Sequence, residues 1–475
     1  MKKICRAGYY PMLQRRYPMS SVRYLAGLYA GKAANTGLKL LKRKGTYFPG
    51  VVSLKLDPKF ISHISKPKKI IAVTGTNGKT TTTNLILEIL RKKGESPVNN
   101  SLGSNTIHGI LTAFSGNIDL LGKKKEDLAV LEVDERFTPI IFKDAPPDIL
   151  AITNIYQDSY KRNAHTDFIK SVINRGIPKA TKIVVNGDDL IASTIGLNEN
   201  KVYYGIDRLP NETEQRDSRL KDLRNCPVCG ESLTWDFVRY HHIGRAHCES
   251  CGFKNGELKY KVVDADFDAM NFKVVDDGKE YIIPLTVSSL EGIYNQLAAY
   301  SVLREYGLAA EEIIALMGGL KVIESRFSTA EKNGKKIIMI SAKGINPIAN
   351  SRVFDSVRNY KGKKSVIVMN DNSVSGIYTE MISWIYDADF EYLNNEDLNR
   401  IIFTSWKCMD FKVRCLMGGF PEDKIFTDFD YKNSAKYIDP DADETIFILH
   451  DIEDESVDRA NYIKDEIFAK MEESK

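Results

Sequence analysis

Residues 75–81, Gly-Thr-Asn-Gly-Lys-Thr-Thr, are of the types and spacing that hold a nucleoside triphosphate. Gly75 and Gly78 let the backbone curl with its N–H groups inward, and Thr76 and Asn77 fill the turn between them. Lys79 brings a point charge to the outer phosphates, and the hydroxyl of Thr80 or Thr81 can hold Mg²⁺ at a helix start. The spacing is one residue shorter than GxxxxGK[ST]. A second chemical set is formed by CPVCG (226–230) and CESCG (248–252), whose Cys226, Cys229, Cys248 and Cys251 have eighteen residues between the two pairs. Four thiolates in this pattern suit tetrahedral Zn²⁺, and a closed four-sulfur site is structural rather than catalytic. Two facing disulfides or a redox pair are alternatives, and His241, His242 and His247 leave a three-cysteine, one-histidine set open. The third set is acidic: Glu132, the magnesium candidate, with Asp134 and Glu135.

These groups need elements to aim them. The apolar run 70–73 reads as a buried parallel strand feeding the loop, and TTTNLILEILRK reads as the helix that follows. A second strand, 127–133, ends in Glu132, and the C-terminal end of a parallel strand is where an α/β sheet places its ligand crevice. A solvated acidic turn is the plain alternative. The polar loop 99–110 can reach the nucleotide or an acceptor. Further strands in ILAITNI, KATKIVVNGDD and KVYYGI complete the alternation expected of a doubly wound, mostly parallel sheet. Asp158 and Arg162, after ILAITNI, are second-tier candidates, whereas His165 reads as a surface histidine. Beyond residue 330, KKIIMISAK, KSVIVMND, RIIFTSW and ETIFILHD alternate with helical stretches, which predicts a second parallel-sheet domain.

With 475 residues the chain is too long for one core. No run of eighteen apolar residues occurs, which excludes a spanning helix. The net charge of +4 hides an asymmetry, because residues 1–56 hold no Asp or Glu. Arg15, Arg16, Arg23, Lys32, Lys39, Lys42, Arg43 and Lys44 lie there among apolar residues, with helical spacing over 22–41. Such a segment can lie on an anionic membrane surface, be a transit peptide, or pack as a solvated helix on the next domain. Seven clustered cysteines argue for a reducing compartment and a metal. Cys408 and Cys415 fall in a helical pattern and read as core residues.

TGTNGKTTT resembles the ATP loop of the Mur ligase superfamily, which joins carboxylates to amines through acyl phosphates. YFPGVVSLKLDPKFISHI, LEVDE, the four-cysteine insertion, GIYNQLAA and WIYDADFE extend that resemblance to its MurT branch over most of the chain. The likeness implies a basic N-terminal segment (1–67) and a Mur ligase central ATP-binding domain (68–330) with a zinc-ribbon insertion at about 218–262. A MurT-type C-terminal α/β domain (331–475) follows. It also implies that Asn295 and Arg326 serve the nucleotide.

The MurT branch pairs with GatD, a class I glutamine amidotransferase, and amidates the α-carboxylate of D-glutamate in the lipid II stem peptide. One MurT acid completes the partner's Cys-His set. In this chain the matching interval holds Glu380 as its only acid, and Asp371, Asp387 and Asp389, read as strand-end acids of the C-terminal domain, are further site candidates. Buried carboxylates that cap the following helix are the structural alternative for these. The Asp-His metal pair of amino-acid-adding Mur ligases is absent, because Ser159 follows Asp158. An amino-acid-adding ligase and a non-catalytic ATP-binding or zinc-ribbon scaffold are the competing readings. The implied cofactors are ATP, Mg²⁺ and structural Zn²⁺, and the implied place is the cytoplasm or the inner membrane face.

Overall fold

The structure, a computed structural model, describes residues 19–43, 45–101, 104–157, 165–196, 200–210, 212–215, 217–221, 223–320, 327–369 and 382–473. The chain begins with α1 (Met19–Leu40), α2 (Phe48–Leu56) and α3 (Phe60–His63). It continues through β1 (Lys69–Thr74), α4 (Lys79–Lys92), β2 (Val98–Asn99), α5 (Ile107–Asn117), β3 (Leu128–Glu132), α6 (Thr138–Phe142) and β4 (Ile149–Ile152). Next come α7 (Thr166–Gly176), β5 (Lys182–Asn186), α8 (Leu190–Ser193) and β6 (Lys201–Ile206). The hairpin β7 (Thr234–Tyr240) and β8 (Ile243–His247) carries the cysteine knuckles on its flanks. Then follow β9 (Leu258–Asp266), β10 (Asn271–Asp276), β11 (Lys279–Pro284), α9 (Leu290–Tyr306) and α10 (Ala310–Met317).

Six of these strands, with β9, make a parallel run in the order β2-β3-β1-β4-β5-β6-β9, and β10 and β11 extend it antiparallel. The order reverses beside β1, which sits between β3 and β4. That is the switch point where an open sheet leaves a crevice at its strand ends. The strand β1 is buried on both faces: Ile71 and Val73 join one core with α4 and α9, and Ile70 and Ala72 join the other. This explains the unbroken apolar run in sequence. The antiparallel extension had its own signal, since Asp277 and Gly278 both have positive φ (49° and 76°) in a two-residue hairpin turn.

The second sheet has the order β12-β13-β17-β14-β15-β16. Its strands are β12 (Phe327–Lys332), β13 (Lys335–Ser341), β14 (Lys364–Val368), β15 (Leu398–Thr404), β16 (Ile425–Asp428) and β17 (Thr445–His450). All pairs except β12–β13 are parallel. Its helices are α11 (Pro347–Arg358), α12 (Ser383–Asp387), α13 (Cys408–Met417) and α14 (Asp454–Glu473). Alternate residues of β13 again divide between two cores, Ile338 and Ile340 on one side and Ile337 and Met339 on the other. Cys408 and Cys415 are buried in the first of these cores. The doubly wound sheet, the cysteine-bearing insertion and the second α/β sheet are therefore all present.

Candidate functional site

The loop after β1 is held open by the segment that follows β4. Asn154 accepts the Thr76 N–H on its carbonyl oxygen (2.8 Å) and the Asn77 N–H on Oδ1 (2.9 Å). Thr153 Oγ1 and Asn154 Nδ2 donate to the Asn77 carbonyl (2.7 and 3.0 Å), and Tyr156 N–H donates to Thr76 Oγ1 (2.9 Å). With its middle pinned, the loop turns into α4 through Gly78, whose φ is 82°. A Cβ there would stand 2.2 Å from Asn295 Oδ1, so only glycine fits. The first turn of α4 then points its N–H groups toward the crevice.

Three acids face this turn from the end of β3. Glu132 pairs in register with Val73, and its Oε1 accepts from Asn105 Nδ2 (3.1 Å). Asp134 caps the next turn by accepting the Arg136 N–H (3.0 Å). Glu135 is buried, and its Oε1 lies 2.9 Å from Lys79 Nζ. The ammonium of Lys79 also bonds the carbonyls of Gly75 and of Thr76. Burial works to lower its pKa, but the charge of Glu135, with Glu132 and Asp134, more than offsets this and holds it above the ordinary lysine value. Lys79 is therefore a charged group kept in place before any phosphate arrives.

Two clefts open on either side of the loop and share Asn77, Gly78 and Thr81. The larger, about 770 Å³, brings Lys79, Thr80, Glu132 and Glu135 together with Lys343 and His450 of the second sheet. The smaller, about 370 Å³, is bounded by Asn295, Tyr156, Tyr240, Glu291 and Arg352. Arg352, on α11, lies 4.1 Å above the Tyr240 ring and bonds Glu291 at the start of α9 (2.6 Å). One guanidinium thus joins the second sheet, the insertion and the first sheet at the cleft wall. The sequence pattern gave no hint of Arg352, Tyr240 or the Thr153–Asn154 brace, because each acts through a distant partner.

The four cysteine sulfurs lie within 4.8 Å of one another, and no other such group of three or more ligands occurs among the described residues. Cys226 and Cys251 are 3.6 Å apart, Cys229 and Cys248 3.5 Å, and all are free thiols. The histidines are occupied elsewhere: His247 bonds Asp236 and Glu249 (both 2.9 Å), and His242 lies 3.3 Å from Asp189 in the interior. His241 packs edge-on to the Tyr156 and Tyr240 rings. The set that forms is four sulfurs without a histidine.

Asp387 and Asp389 do not end strands. Asp387 is the last residue of α12, 3.5 Å from Gln157 Nε2, and lines a shallow pocket with Arg219 and Lys221. Asp389 is buried and makes no cap to the turn after it; instead it accepts the Arg219 N–H (2.6 Å). Burial, with Glu391 and Asp217 nearby, pushes its carboxyl up to about 6 despite that bond. His165 is exposed, as expected. Asp158, Arg162, Arg326, Asp371 and Glu380 lie outside the described residues.

The family described as Mur ligase middle domain matches residues 73–303, and the family described as MurT ligase C-terminal matches residues 344–452. A Staphylococcus aureus protein named lipid II isoglutaminyl synthase (glutamine-hydrolyzing) subunit MurT is 31% identical over 88% of this chain and 93% of its own. A Streptococcus pneumoniae protein of the same name is 29% identical over 89% and 93%. Among solved structures, a pseudomurein peptide ligase type C from Methanothermus fervidus superposes with a TM-score of 0.66 at 22% identity, covering 86% of this chain and 81% of that one.

Proposed function

The chain belongs to the MurT family of Mur-type ligases, and from that membership we propose how its loop, its acids and its cysteines serve one reaction. The protein is an ATP-dependent carbon–nitrogen ligase that amidates the D-glutamate α-carboxylate of the lipid II stem peptide, giving D-isoglutamine. The observation that carries the reading is the fixed charge of Lys79 among Glu132, Asp134 and Glu135 at the switch point of the sheet.

A carboxylate oxygen of the acceptor attacks the γ-phosphorus of ATP, ADP leaves, and an acyl phosphate forms. Ammonia then attacks the acyl carbon and phosphate departs. The ammonium of Lys79, the N–H groups at the start of α4 and Asn295 would position and neutralise the nucleotide. The oxygens of Thr80 or Thr81 and Glu132 are hard donors that fit Mg²⁺, which when bound screens the phosphate charge. Lys343 and His450 line the same cleft, so the second sheet is placed to enclose the acyl group.

Ammonia is mostly protonated at neutral pH, so a glutaminase that delivers it under cover makes physical sense. Cys408 and Cys415 are buried with thiols pushed up by that burial, the opposite of an activated nucleophile. The nitrogen is therefore proposed to come from a GatD-type glutamine amidotransferase partner, a reading supported by the relatives' name, which makes them one subunit of a glutamine-hydrolysing synthase. Asp387 and the family-implied Asp371 and Glu380 remain the acids proposed to face it.

The four cysteines are proposed to hold structural zinc. Ligands about 2.3 Å from one tetrahedral ion stand roughly 3.8 Å apart, close to the separations of 3.5 and 3.6 Å found here. No helix among the described residues is long and apolar enough to cross a membrane, so a lipid-linked acceptor would be met by peripheral contact. The complex with a GatD-type glutaminase, given lipid II, ATP, Mg²⁺ and glutamine, is expected to release phosphate and to lighten the stem peptide as –OH becomes –NH₂. Nucleotide binding with no glutamine-dependent product would overturn the reading in favour of a scaffold.

A further inference from the structure

We infer that the outer face of α1 and the turn after α5 form one surface that docks on an anionic lipid bilayer. The helix α1 packs on α2 through its Gly27, Leu28 and Gly31 side, where a Cβ at Gly31 would stand 2.4 Å from Ser53 Oγ. That close approach decides which face looks outward. The outward face is mostly apolar: Val22, Leu25, Ala26, Tyr29, Ala33 and Leu40 are all exposed, with Thr36 the one polar residue among them. At 100° per residue Arg23 falls on one flank of this stripe and Lys32 and Lys39 on the other.

The stripe continues onto the turn 118–125. Tyr29 OH donates to the Leu120 carbonyl (2.9 Å) and Lys32 Nζ to that of Ile118, so the turn is fastened to α1. A bridge between Ile118 and Lys124 closes it, and the Asp119 carboxylate accepts the N–H groups of Leu121 and Lys123 (both 2.8 Å). At its tip Leu120 and Leu121 are 72% and 84% exposed, followed by Lys123, Lys124 and Lys125. Two leucines held outward on a braced turn, beside an apolar helix face with basic flanks, have the composition of an interfacial anchor.

Charge selects the occupant. Residues 1–56 contain no acid, and around the turn the carboxylates of Asp119, Glu126 and Asp127 are outnumbered by Lys68, Lys123, Lys124 and Lys125. A second copy would oppose basic flank to basic flank, and residues 1–18 carry only more basic charge. Anionic headgroups complement the flanks while the leucines and the Tyr29 ring enter the acyl boundary. The inference deepens the peripheral-contact part of the reading above, and it places the lipid-linked acceptor and the enzyme on the same surface.

The test is flotation of the full chain with vesicles of phosphatidylglycerol and phosphatidylcholine, without ATP or acceptor, so that it is independent of the ligase reading. Binding to phosphatidylglycerol vesicles, weakening as salt rises, is expected to fall at least about tenfold in Leu120→Ser/Leu121→Ser and in Val22→Ser/Leu25→Ser. Amidation of detergent-dispersed acceptor should be unchanged in both variants. The proposal is overturned if wild type ignores anionic vesicles, if it binds neutral vesicles equally, or if the variants bind like wild type. It is overturned equally if these leucines prove to govern self-association or glutaminase binding while vesicle binding stays absent.

Discussion

The loop after β1 and the segment after β14 are two places where candidate acids or phosphate-binding groups follow a central parallel strand, yet the fold treats them differently. At β1, groups from four separate segments converge: the loop 75–81, the acids 132–135, the brace at Thr153 and Asn154, and Asn295 from α9. They meet around a lysine that stays charged. In the second sheet the described acids are turned to holding the insertion against α11 and α13. Asp389 takes the Arg219 N–H, and Glu391 bonds both Arg219 (3.0 Å) and Arg414 (2.7 Å). A strand end supplies a place for chemistry, whereas convergence with bonding capacity left over supplies the chemistry itself.

The largest expected contrast is between Lys79 and Asp387. Lys79→Met should lower ATP-dependent turnover by about 10²–10³-fold, measured as phosphate release in the complex, since it removes the charge aimed at the transferring phosphoryl group. Asp387→Asn should leave nucleotide affinity within about threefold, as its contact lies away from the loop. A larger loss of affinity at Asp387 would break the comparison. Next in size is Gly78→Ala, which suffers both its left-handed φ and the contact with Asn295 Oδ1. It should destabilise the protein by about 1–3 kcal/mol in thermal melts. Adding Asn295→Ala should recover only the contact part of that loss.

The brace predicts a smaller, more selective effect. Asn154→Ala removes bonds to both the N–H and the carbonyl of Asn77, so the KM for ATP should rise about tenfold while the melting temperature moves little. An effect of similar size but opposite sign belongs to the second sheet. A buried carboxyl held at about 6 binds its proton in the folded state before it does in the unfolded one, whose value is near 3.8. Its contribution therefore favours folding below 3.8 and is lost as pH rises through 6. Asp389→Asn keeps an acceptor for the Arg219 N–H and should raise stability at neutral pH by about 1–2 kcal/mol. Denaturant melts across that pH range would also show a flatter profile, and an unchanged slope would show that Asp389 is not the group responsible.

Much of the framework was legible because its signals are local. A strand buried on both faces must be apolar throughout, so 70–73 and the later strands announced themselves. The cysteine knuckles and the Gly-Lys-Thr run are likewise fixed by spacing along the chain. The antiparallel strands β9 to β11 are not among the predicted elements, although the Asp277-Gly278 turn marks a hairpin, because their apolar residues alternate with polar ones instead of forming a run. Asp387 and Asp389 read in sequence as strand-end acids, but Asp387 ends α12 and Asp389 follows it.

The sequence by itself determined the chemistry available: a loop for phosphate, oxygens for a hard cation, four thiolates, and an acid-free basic start. Residue type and short spacing fix those, since a glycine's freedom or a lysine's charge travels with the residue. Only the tertiary structure decided which groups meet. The pairing of Lys79 with Glu135, the pinning of Asn77 by Asn154, and the seating of Arg352 over Tyr240 join residues 56, 77 and 112 positions apart. So too, the outward turn of the α1 apolar face followed from the close approach at Gly31. Such contacts depend on how sheets and helices stack, and burial then sets their strength; neither can be read from neighbours along the chain.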